Sequence, residues 1–147
     1  MHTFKYDVSF RIWHPQKSAD EICNKLGLKP RIKHTVGKQR ETPKGTPLDG
    51  VYERTYCSFK LEHSDGVKLG DFLKDCNNRL YKYKVIFEEI HSSGGTLEYF
   101  IGWYSDKNSG EILDLELLSK LVELKIELSL DFYGGPERVR KTGSDHD

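Results

Sequence analysis

Lys29, Arg31, Lys33, Lys38, Arg40 and Lys44 crowd one short stretch in which Glu41 is the single acid, with Gly37 inside it. Cations that converge with glycine amides can hold a phosphate or another anion. Lys33, His34, Lys38 and Arg40 are the candidate ligands of such a site. A solvated loop whose charges only keep it soluble has the same composition, so both readings stand. A second set of residues has a different chemistry. Arg11, Trp13, Tyr52, Arg54, Tyr56 and Tyr133 fall on the alternate, outward positions of three strand-like runs. Aromatic rings offer contact area at low entropic cost and arginine offers forked donors, the composition of a partner-binding face. A loop or tail folded over that face is the competing structural reading.

Motifs of catalysis are absent. The chain has no Gly-x-Ser-x-Gly elbow, no Walker loop, no His-Glu-x-x-His and no dinucleotide-binding glycine fingerprint. His14, His34, His63 and His91 are scattered along the sequence, which fits structural or solvent-facing roles better than a metal or acid–base centre. Neither catalytic residues, nor a metal, nor a cofactor are assigned, and the reading leans away from an enzyme. Cys23, Cys57 and Cys76 are an odd number with no Cys-x-x-Cys pair, and each sits on the apolar side of an expected element. Buried, free thiols in a reducing compartment are the expectation.

The elements that must position these residues follow from hydrophobic periodicity. Phe4, Tyr6, Val8, Phe10 and Ile12 alternate with polar neighbours, which is the pattern of a half-buried strand. Pro15 ends it, and Ser18-Ala19-Asp20-Glu21 reads as a capping box for a helix closed at Gly27. Residues 30–50 carry three prolines and three glycines without periodicity and read as a long loop. A second strand is expected over 51–61, with Val51, Cys57, Phe59 and Leu61 inward and Tyr52, Arg54 and Tyr56 outward. Leu69, Phe72, Leu73, Cys76 and Leu80 form a helical stripe, and Val85, Ile86 and Ile90 suggest more helix up to Gly94-Gly95. Residues 96–104 are apolar on both sides, as a central strand is. A leucine stripe from Leu115 to Leu124 precedes a last strand with Ile126, Leu128, Leu130 and Phe132 inward.

Four strands alternating with helices predict an α+β domain: a four-stranded sheet with helices packed on one face. A weak internal echo between the Phe10–Trp13 and Phe100–Trp103 regions suggests two strand–helix–strand halves with an extra helix between them. That would be a ferredoxin-like arrangement. The domain is expected to occupy residues 1–133, with a flexible polar tail over 134–147.

At this point the chain resembles a bacterial family catalogued as domain of unknown function 4279. The residues that carry the resemblance are Tyr6-Asp7-Val8-Ser9-Phe10-Arg11-Ile12, Leu26-Gly27-Leu28-Lys29-Pro30, Gly37-Lys38, the leucine-rich helix before residue 125, and Leu130-Asp131-Phe132-Tyr133. These are strand ends, caps and turns, so the resemblance implies a fold and no activity.

Charge narrows the partner. Twenty-three basic and twenty-three acidic residues leave a formal net charge of zero, which disfavours whole-surface attraction to nucleic acid or anionic membrane. No apolar run is long enough to span a bilayer and the first residues lack a signal-like apolar core, so the expected location is cytoplasmic. A non-catalytic binding module with a protein partner is the leading expectation. The alternative is an enzyme or sensor that takes a phosphorylated or anionic small molecule at the basic loop.

Overall fold

A computed structural model of the chain describes residues 2–134. The first alternating run forms β1 (Lys5–His14), which buries Tyr6, Val8, Phe10, Ile12 and His14. α1 (Ala19–Leu26) opens at Ser18, whose hydroxyl accepts the Glu21 backbone N–H at 3.1 Å, and closes on Gly27 in the left-handed region at φ 62°. The carboxylate of Glu21 does not complete the expected box; it meets Lys17 and Lys25 instead. β2 (Ile32–His34), β3 (Gln39–Glu41) and β4 (Pro47–Val51) follow, then β5 (Thr55–Leu61). α2 (Leu69–Leu80) runs through a 3-10 turn (Tyr81–Tyr83) into α3 (Lys84–Ser92). The chain then forms β6 (Thr96–Tyr104), α4 (Leu115–Leu124) and β7 (Ile126–Tyr133).

β2, β5, β1, β6 and β7 lie side by side in that order as a mixed five-stranded sheet, and β3 and β4 form a separate two-stranded ribbon. β1 is antiparallel to both β5 and β6, β2 is antiparallel to β5, and β6 and β7 are parallel. The helices share the face that carries Phe10, Cys57, Tyr99 and Ile126. There Phe10, fully buried, meets Phe59, Phe87 and Tyr99 at ring distances of 6.0, 5.5 and 5.8 Å. A buried phenylalanine contributes about 1.5–3 kcal/mol by leaving water. The Tyr99 hydroxyl stays paired in this core by donating to Asn77 Oδ1 at 2.8 Å.

The α+β class holds, but the four-stranded, ferredoxin-like expectation is corrected to this five-stranded mixed sheet with an added ribbon. The two proposed halves are not equivalent. β6, α4 and β7 make a parallel unit, whereas β1 and β5, the strands of the other half, pair antiparallel as direct neighbours. The segment expected as a structureless loop supplies the missing strand, β2, and the ribbon. Its strands are three, three and five residues long, and nearly all their residues are exposed. They bury too little apolar surface to leave a periodic trace. The expected second strand begins only at Thr55, and Val51 belongs to the exposed ribbon. The tail expected over 134–147 lies, from residue 135 onward, outside the described residues.

Among the described residues no helix is long and apolar enough to cross a membrane.

Candidate functional site

The face opposite the helices is assembled from the alternate residues of the same strands. Register places Arg11 of β1 between Ser58 of β5 and Glu98 of β6, and Trp13 between Tyr56 and Thr96. β2 sets Ile32 beside Ser58 and His34 beside Tyr56. Four rings then run in sequence along one end of the face. Tyr52 stacks on His34 at 3.8 Å with planes 3° apart, His34 meets Tyr56 at 5.4 Å, and Tyr56 meets Trp13 at 5.3 Å.

Arg11 anchors this row. Its guanidinium carbon lies 4.0 Å from the Phe100 ring centre, 5.0 Å from Trp13 and 5.9 Å from Tyr56, all within cation–π range. Its Nε donates to Glu98 Oε1 at 2.9 Å, and Glu98 also accepts from the Ser129 hydroxyl. Both charged side chains are about 15% exposed. A cation fixed on one edge by a carboxylate and on its faces by rings has already lost its rotamer freedom. A partner meeting it therefore bears less of the ordering cost. Beside it the Ser58 hydroxyl is buried and has no hydrogen-bond partner among the described residues. Among the described residues no helix covers the face, and Trp13, Tyr56 and Phe100 remain half-buried.

The other expected members of the face separate. Tyr133 lies eight positions along β6 from the Trp13 row, about 26 Å at 3.3 Å per residue. There it stacks on Tyr104 at 5.0 Å and donates to Asp131. Gly102 makes room for this pair, since a Cβ there would come within 2.8 Å of the Tyr104 hydroxyl. Arg54 is exposed at the entry to β5, outside the ring row. The sequence pattern does not join His34 or Phe100 to this cluster. His34 was read with the basic loop, because the strand that turns it toward Tyr56 is only three residues long.

The basic stretch does not converge. Lys33 and His34 are neighbours on β2 and so point to opposite faces. Lys33 Nζ reaches Asp20 of α1 at 2.6 Å, while His34 lies on the ring row. Arg40 donates to the Asp49 carbonyl at 3.1 Å, and Lys38 is exposed just before the ribbon. Burial pushes the His34 pKa below its ordinary value.

The remaining chemistry-bearing groups serve the fold. His14 Nδ1 accepts the backbone N–H groups of Gln16 and Lys17, at 3.0 and 2.9 Å, so the ring proton sits on Nε2 and is donated to Ser93 Oγ. Burial and the charges of Lys17 and Arg54 lower its pKa, against an opposing pull from Glu21. Cys23, Cys57 and Cys76 are free and buried. Cys23 and Cys57 lie with sulfurs 3.8 Å apart between α1 and β5, a contact their spacing in sequence does not reveal. Burial pushes the Cys57 thiol far up, and Cys76 up to about 11. An open cleft of about 980 Å³ lies where β1 begins and β5 ends, lined by Lys5, Tyr6, His63, Lys68 and Glu111 among others. Its central polar groups are used internally: Tyr6 donates to the Val67 carbonyl and Glu111 accepts from Gly70. Among the described residues no three His, Cys, Asp or Glu side chains cluster as a metal site.

Comparison with known proteins places the chain without assigning it an activity. The model of the family described as Domain of unknown function (DUF4279) matches residues 2–135. No curated protein and no solved structure matches.

Proposed function

The chain belongs to the DUF4279 family, and we propose that the sheet face opposite its helices makes it a non-catalytic binding module for a protein partner. One observation carries the reading: Trp13, Tyr56 and Phe100 surround an arginine already oriented by Glu98, and His34 and Tyr52 extend the ring row from Tyr56. Tryptophan, tyrosine and arginine are the residues that most often anchor protein interfaces, and anchoring is strongest where they are held in place before contact. The surroundings fit a protein better than a polyanion. Arg11 is neutralised by Glu98, and Asp7, Glu127 and Asp131 share the same face. Lys33 turns to Asp20, His34 to the opposite face and Arg40 to the Asp49 carbonyl, so the anion-binding alternative has less support.

Side-chain oxidation footprinting of the full chain, alone and with a partner purified from its native extract, tests this. Trp13, Tyr56 and Phe100 are expected to gain protection while Tyr81 on the helical side does not. Equal oxidation of Trp13 and Tyr56 in both states contradicts the proposal.

A further inference from the structure

The two edges of the sheet differ in a way that points to a second copy of the chain. β2 closes one edge with three residues, one of them Lys33, which suits an edge that must not recruit another strand. Among the described residues β7 closes the other with eight residues in unbroken register with β6, and it contains no proline, lysine or bulge. Its helix-side residues become exposed toward its end: Leu130 is 42% and Phe132 64% accessible.

α4 extends this apolar strip. Leu117, Leu121 and Leu124 face the core. On one flank Glu116 meets Lys74 of α2, and Glu123 meets Tyr81 and Lys84. A helix turns 100° per residue, so Leu118 and Val122 occupy the flank turned away from α2 and α3, over the free side of β7. They are 39% and 72% accessible.

We propose that the β7 edge is a homodimer interface in which two β7 strands pair antiparallel about a two-fold axis at Leu130. This proposal is independent of the open-face reading. A two-fold axis perpendicular to the sheet keeps both sets of helices on one side, so each residue meets one of the same face. Centred on Leu130, the pairing sets Leu130 against itself and Leu128 against Phe132 on the helix side. On the other side it sets Ser129 against Asp131 and Glu127 against Tyr133. A centre at Ser129 opposes Glu127 to Asp131, and a centre at Asp131 opposes that carboxylate to its own copy. Like charges directly opposite are destabilising in a sheet. Of these adjacent registers, the Leu130 one joins apolar residues and opposes no acids. It also brings the Leu118 and Val122 flanks of the two α4 helices together above the joined strands.

Sedimentation of the full chain tests the proposal, with a particle of twice the 17.0 kDa chain mass expected. Leu130→Lys sets two ammonium groups opposite each other and is expected to halve that mass with an unchanged circular dichroism spectrum. Leu130→Cys is expected to give a disulfide-linked dimer under mild oxidation, because self-paired positions lie within disulfide reach. Val85→Cys on α3, 67% accessible, is expected to stay unlinked. Sedimentation as a single chain at every attainable concentration overturns the proposal. So does a dimer that Leu130→Lys leaves intact or that Leu130→Cys fails to link.

Discussion

Phe10 and Arg11 are consecutive residues of one strand, and they show how differently the two faces of this sheet are built. Phe10 is fully buried among rings contributed by β5, α3 and β6, and its only demand is volume. Arg11 points the other way, into rings from β1, β5 and β6, and its position is set by direction: a carboxylate at one edge, ring faces around it. The helical face is closed by tertiary packing. The other face is organised by cross-strand contacts, and among the described residues no helix lies over it. Such order in an aromatic and charged surface fits the proposed recognition role, whereas a solvated face needs none.

The comparison breaks most readily at the core. Phe10→Ala is expected to cost about 3–5 kcal/mol, as large-to-small changes at a buried aromatic do, and urea unfolding measures it. Arg11→Ala removes a charge-assisted hydrogen bond and leaves Glu98 with Ser129 alone; about 1–3 kcal/mol is expected in the same assay. A result for Arg11 equal to that for Phe10 would make the second face another core.

A pH titration sharpens the contrast, because His14 belongs to the closed side. Its folded pKa lies below the ordinary 6.5, so the unfolded chain binds the proton more readily. The stability that His14 contributes is therefore complete above about pH 6.5 and is lost as pH falls below it toward the folded value. Replacing His14 with glutamine should flatten that part of the stability profile. A profile unchanged by the substitution contradicts a folded His14 pKa below its ordinary value. The smallest effect is expected at Arg54, which is exposed. Arg54→Ala should move stability by less than about 1 kcal/mol, and a larger loss in thermal melting would place it inside the cluster.

Long periodic elements were legible from sequence because burial writes a period into them. β1, α1, α2, β6, α4 and β7 all lie within a residue or two of their expected bounds. β2 was not, since two of its three residues are exposed and its identity comes from pairing with β5 rather than from its own pattern. Missing β2 hid the sheet order, and with it the role of His34. Parity along β1 and β5 was enough to put Arg11, Trp13 and Tyr56 on one face, and the pairing of the two strands makes them neighbours. The same logic could not say that Tyr133 stands at the far end of the face, because parity gives the side of a sheet and never the distance along it. The Cys23–Cys57 contact was hidden for a related reason: it spans α1 and β5, and periodicity does not determine how a helix is placed over a strand.

The most direct test of the open face is the affinity of the purified partner for Trp13→Ala and Tyr56→Ala, with thermal melting of the same variants. The ring row predicts a loss of binding of about 1–2 kcal/mol or more for each, roughly 5- to 30-fold in Kd, as for aromatic anchors at interface centres. Val85→Ala, on the helical side, is expected to bind as the unaltered chain does. Folding should persist in all three variants. Unaltered affinity in both ring variants would contradict the account.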